Sequence, residues 1–132
     1  MPHEDTVFDL EGYIILLTKL GNWGYQSRSF DDQPISGKSL LLRHDVDISL
    51  QYAVDMAAVE ADIGWRSTYF VLLGSEFYNA FTKRSRRAIA KIIEFGHEIG
   101  LHFDAANYSG DQAELDRQTQ YECEILESII GN

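Results

Sequence analysis

The sequence predicts an α/β fold in which parallel strands alternate with helices. Two short runs, 39–43 and 68–73, are rich in apolar, β-branched or aromatic residues and bounded by turn residues. They read as buried strands. Residues 50–63 and 82–95 place apolar side chains at helical spacing. The resulting order of strand, helix, strand, helix, strand, helix is that of βαβ units with right-handed crossovers.

Each element has its own warrant. Residues 7–20 are apolar and open with Thr6-x-x-Asp9, close to a capping box, with Gly21 after their end, which predicts a helix. Residues 25–30 are expected as a short strand. Gln33-Pro34-Ile35-Ser36-Gly37 is a turn cluster. Ser39-Leu40-Leu41-Leu42-Arg43 predicts a strand buried on both faces, because its apolar run is continuous. Apolar residues at 50, 53, 54, 57, 58 and 61 predict a helix, with Ser49 as N-cap and Gly64 as stop.

The second strong strand is 68–73, and the second core helix, 82–95, ends at Gly96. Its first turn carries Lys83 and Arg84, the wrong sign for the helix dipole, and nothing local accounts for them. Residues 98–103 form the third strand. Asp111 with Glu114 opens a last helix whose Leu115, Cys123, Leu126, Ile129 and Ile130 line one face, with Gly131 at its C-cap.

A chain of 132 residues amounts to one domain, since domains run to about 100–200 residues. Residues 1–37 supply an N-terminal helix and lead-in, and 38–132 the βα core. Three parallel strands are a thin sheet, and the chain stops where another strand would follow. The sheet is expected either to borrow edges from a partner or to be the front portion of a longer protein.

Apolar residues make up 45% and charged residues 24%, which excludes a disordered chain. A formal net charge of -10 argues against general nucleic-acid binding, which needs Lys and Arg to neutralise phosphates. Much of the surplus lies between 111 and 127, with six acids and one Arg, and reads as a solvated helix face. A single cysteine, Cys123, excludes an intramolecular disulfide and a multi-cysteine zinc site. The opening MPHEDT has no basic n-region, and the apolar run 13–17 is far short of the ~20 residues that span a bilayer. A soluble, cytoplasmic protein without a membrane span is expected.

Three features bear on chemistry. The first is Arg43-His44-Asp45-Val46-Asp47, at the carboxyl end of a strand, where ligands gather in parallel α/β folds. Two carboxylates so close together invite a divalent cation. Alternatively, Asp47 caps the following helix and Asp45 pairs with Arg43. The second is Gly96-His97-Glu98-Ile99-Gly100-Leu101-His102-Phe103-Asp104. Strand alternation puts Glu98, Gly100, His102 and Asp104 on one face and His97 on the other. His102 and Asp104 then lie level with Asp45 and Asp47 of a neighbouring strand, as imidazole and carboxylate ligands for zinc or a similar ion. His97 is expected to be structural. The third is the loop 74–81, whose Phe77, Tyr78 and Phe81 either stack on a sugar or close the end of the core.

These motifs, with Ser67-Thr68-Tyr69-Phe70-Val71 between them, resemble the NodB-type polysaccharide deacetylases, a carbohydrate esterase family. The likeness runs from about residue 40 to residue 107, and Gly-His-Glu-Ile-Gly-x-His is its most specific part. It is nearest to divergent members with an Arg-His-Asp-Val-Asp first motif, found among enzymes of surface-polysaccharide synthesis. The resemblance implies a partial (β/α) barrel of the polysaccharide-deacetylase type. It also implies a divalent metal, usually zinc, and hydrolysis of N-acetyl groups on amino sugars.

In the same way it makes Asp45 the general base, Asp47 a metal ligand and His102 the first metal histidine. The family's second histidine falls at Ala106, so Asp104 or later sequence would supply that ligand. The later family motifs, including the general acid, have no counterpart before Asn132. The chain is therefore expected to be the N-terminal part of a longer barrel. Alone, it should show little or no turnover and should self-associate through exposed sheet edges.

The implied mechanism has Asp45 taking a proton from metal-activated water. Backbone N–H groups after Leu73 would help hold the oxyanion. Two alternatives stand beside it. One is a non-catalytic, truncated deacetylase-like domain that binds glycan. The other is a haloacid-dehalogenase-type phosphatase with magnesium, against which Asp47 is followed by Ile48-Ser49 and not Gly-Thr.

Overall fold

A computed structural model of the chain describes residues 9–33 and 36–131. Thr6 of the expected capping box and the Pro34-Ile35 turn lie outside the described residues. Among the described residues there are four helices and two small parallel sheets. In order these are α1 (Leu10–Asn22), β1 (Gln26–Ser27), β2 (Ser39–Leu40), β3 (Arg43–Val46), α2 (Leu50–Asp62), β4 (Thr68–Val71), α3 (Lys83–Glu94), β5 (Glu98–Leu101) and α4 (Gln112–Ile130), with a 3-10 turn at Ala105–Asn107. No closed barrel forms among the described residues.

The helix ends follow local chemistry. Asp9, Ser49, Thr82 and Asp111 are N-caps, each accepting a hydrogen bond from a backbone N–H three residues on. Asp9 thus caps α1 as the N-cap itself. Gly64 and Gly96 follow α2 and α3 with φ of 80° and 93°, the left-handed conformation that ends a helix with least strain in glycine.

The expected buried strand at 39–43 is corrected. Leu41 is exposed and Leu42 half-buried. The run divides there, because the chain changes partners: β2 pairs with β1, while β3 pairs with β4. An unbroken apolar run is equally compatible with a kink between two sheets.

The larger sheet has the order β3-β4-β5, all parallel. Arg43, Thr68 and Glu98 form one row, and Asp45, Phe70 and Gly100 another on the same face. The opposite face carries His44, Tyr69, Ile99, Val46, Val71 and Leu101. It packs against Leu50, Ala53 and Ala57 of α2, Ile89 and Ile92 of α3, and Leu126 and Ile129 of α4. The helices therefore bury one face of the sheet. On the other face Phe70 meets the Arg43 guanidinium, 3.9 Å from its ring centre, and the edge of Phe30 at 5.9 Å.

Candidate functional site

The carboxyl ends of β3, β4 and β5 share one rim, since the strands are parallel and in register. Val46, Val71 and Leu101 form the last paired row, so Asp47, Leu72 and His102 come next. The His102 N–H donates to the Val71 carbonyl at 2.9 Å, which holds residue 102 in strand-like continuation. Tyr78 fastens the rim from within. Its hydroxyl donates to the Val46 carbonyl at 2.6 Å and accepts from the Leu72 N–H at 2.9 Å. Burial pushes the Tyr78 phenol up to about 12.

Asp47 and His102 come together over this rim. His102 Nδ1 lies 3.2 Å from Asp47 Oδ1. The nitrogen is shielded from solvent and makes no hydrogen bond, so the two atoms are close without the alignment of a hydrogen bond. The neighbouring strand of the sequence reading is not adjacent: β4 lies between β3 and β5, and the two side chains reach over its tip.

The other predicted site residues are engaged elsewhere. Asp45 accepts from Arg43 Nε at 2.9 Å and is exposed. Asp47 does not cap α2, because Ser49 does. Asp104 accepts from the Ala106 N–H at 3.0 Å and caps the 3-10 turn. Ala106 is thus bound to the carboxylate expected to replace a histidine there. Among the described residues, no three His, Cys, Asp or Glu side chains converge as a metal-holding group. In the loop 74–81, Tyr78 points inward, while Phe77 and Phe81 are 70% and 51% exposed. The Leu72, Phe77 and Tyr78 N–H groups all donate within the rim and loop.

A second polar cluster lies beneath the sheet, and the sequence reading missed it. Glu60 of α2 is 0% exposed. Its Oε1 accepts from the Tyr13 hydroxyl at 2.5 Å and from His44 Nε2. Its Oε2 accepts from the Ser67 hydroxyl and from the Tyr69 hydroxyl at 3.0 Å. A carboxylate only accepts, so the His44 hydrogen sits on Nε2. Burial pushes the Glu60 carboxyl up, but hydrogen bonds from His44, Ser67 and Tyr13 and the charge on His44 hold it below its usual range. The Tyr13 and Tyr69 phenols are raised by burial and by Glu60.

His97 belongs to the same cluster and faces away from the rim. Its Nε2 donates to the Ala57 carbonyl at 2.7 Å, and its Nδ1 accepts from the Ser67 N–H at 3.1 Å. A signal for this cluster exists in the sequence. Glu60 stands three residues after Ala57 and seven after Ala53, on the buried stripe of α2.

No helix among the described residues is long and apolar enough to cross a membrane. Comparison with protein-family models, curated proteins and solved structures finds no match for this chain.

Proposed function

We propose that the chain is a metal-dependent, polysaccharide-deacetylase-like hydrolase of carbon–nitrogen bonds, built on a segment of a (β/α) barrel. Its substrate would be an N-acetylated amino sugar. The observation that carries this reading is the shielded, unbonded His102 Nδ1 beside Asp47 Oδ1 at 3.2 Å. Two donors bound at about 2.0–2.1 Å to one tetrahedral ion stand roughly 3.3–3.4 Å apart. An imidazole and a carboxylate also suit zinc in donor type. A sheet with its helices packed on one face supports the barrel-segment reading.

Asp47 Oδ1 and His102 Nδ1 would hold a divalent cation, which when bound supplies Lewis acidity toward the amide carbonyl and lowers the pKa of water to about 7. Asp45, on the same strand face as Asp47, takes the proton of the attacking water at a carboxylate oxygen. Arg43 Nε orients that carboxylate from 2.9 Å. Phe77 and Phe81, exposed after β4, offer flat apolar surface to a sugar ring. The departing amine needs a proton, and His44 does not provide it: its ring lies on the opposite sheet face and donates to Glu60. Slow turnover by these residues alone follows.

The test is zinc content together with acetate release from an N-acetylglucosamine oligomer. Wild type should retain zinc, Asp47→Ala and His102→Ala should lose it, and Asp45→Asn should keep it while losing acetate release. Equal zinc in wild type and both alanine variants would sink the site. The lack of a third converging ligand among the described residues favours a second reading, a non-catalytic glycan-binding domain. That reading predicts oligomer binding without bound zinc.

A further inference from the structure

Five of the eleven basic residues of this -10 chain fall between 83 and 91. Four of them, Lys83, Arg84, Arg87 and Lys91, line a groove of about 560 Å³ against Gln51 and Val54 of α2. Lys91 is shared with Glu94 at 3.1 Å. Among the described residues, Lys83, Arg84 and Arg87 have no hydrogen bond or ion pair. No carboxylate lines the groove, and neither α2 nor α3 has an acid in its first turn. Both helices start from the carboxyl rim of the sheet, so the end of the groove at Lys83 and Arg84 lies near two positive dipole ends. Lys83 and Arg84, in the first turn of α3, oppose its dipole, and the like charges along the groove repel one another. Among the described residues, no ion pair or hydrogen bond offsets this at Lys83, Arg84 or Arg87, whose side chains are exposed.

We propose that the α2–α3 groove binds a soluble ligand carrying at least two phosphate-type oxyanions, with a diphosphate group as the minimal unit. Two guanidinium forks match phosphate oxygens bidentately, and two ammonium groups add point charge. Lys83, Arg84 and Arg87 are unpaired among the described residues, and Lys91, shared with Glu94, adds its charge in part. A concave recess suits a ligand group better than a flat lipid surface, and the net charge of -10 disfavours a nucleic-acid strand. The inference does not rest on the hydrolase reading, and loss of zinc binding would leave it standing.

The experiment is titration calorimetry of the full chain with inorganic pyrophosphate and with inorganic phosphate at low ionic strength. Pyrophosphate should bind about tenfold or more tightly than phosphate, and added salt should weaken it. Arg84→Gln/Arg87→Gln should cost about tenfold or more in affinity. Lys19→Gln/Arg117→Gln removes as many charges elsewhere and should change affinity less than about twofold. Both double variants replace exposed side chains, and circular dichroism checks their folding. Absence of pyrophosphate binding, or equal loss in the two double variants, would overturn the proposal. Binding to phosphatidylglycerol vesicles that pyrophosphate does not displace would also overturn it, assigning the groove to a membrane.

Discussion

Replacing Glu60 by Gln should destabilise the fold by about 3 kcal/mol, through hydrogen bonding alone, because shape and volume hardly change. The carboxylate accepts from Tyr13 and His44 at one oxygen and from Ser67 and Tyr69 at the other. An amide keeps one acceptor oxygen and turns two N–H donors toward the other pair. Two donors then lose a charged partner, each bond of that kind being worth about 1.5–3 kcal/mol. Rotation of the Ser67 hydroxyl toward His97 Nδ1, 3.3 Å away, recovers part of the loss.

Urea unfolding followed through Trp65 fluorescence measures the effect. Trp65 is 6% exposed, and its main-chain N–H donates to the Glu60 carbonyl. The midpoint of thermal unfolding should fall by roughly 10 °C. Tyr13→Phe should then cost less in the Glu60→Gln background than in wild type, by more than about 0.5 kcal/mol. A loss below about 1 kcal/mol, or strict additivity with Tyr13→Phe, would refute Glu60 as the hub.

Gly100→Ala should destabilise by about 1–3 kcal/mol, since a Cβ there would stand 2.6 Å from Phe70 Cε1 and Phe70 is held by Arg43 and Phe30. Thermal unfolding reads it, and no change would mean that Phe70 moves freely. Tyr78→Phe should cost about 1–3 kcal/mol by leaving the Val46 carbonyl and Leu72 N–H without their partner, and zinc affinity should fall as the rim loosens. Denaturant titrations across pH should show two edges. Glu60 is depressed in the fold, so its stabilisation is present above the unfolded carboxyl range and lost as pH falls through and below about 4.5. Tyr13 and Tyr69 are raised, so theirs is present below about pH 10 and lost as pH climbs beyond it. Glu60→Gln should flatten the acid edge.

The helices and the strands β4 and β5 were legible because each depends on neighbours in sequence. Ser49 and Gly64 bracket α2, Thr82 and Gly96 bracket α3, and alternation separates His97 from His102. The division of 39–43 was not legible, since Leu40, Leu41 and Leu42 look alike and only their partners differ. The meeting of Asp47 with His102 was readable from strand ends and residue type. The intervening β4 was not, because strand order is a long-range choice. The turn that Asp104 caps through the Ala106 N–H was not read from the sequence, although Asp readily caps its own turn. The Glu60 cluster draws partners from α1, β3 and β4, and only its place on the α2 stripe hinted at it.

Asp47 and His102 sit on outer strands and touch only by leaning over the middle one. Neighbouring strands are ~4.8 Å apart, so their contact spans about two such steps and depends on how sharply the sheet curls. Substitutions far from both residues that flatten this curvature would prise the pair apart with neither side chain altered. Chain segments or partners that tighten it would press the two side chains closer, and under the proposed function cation affinity would then report sheet shape.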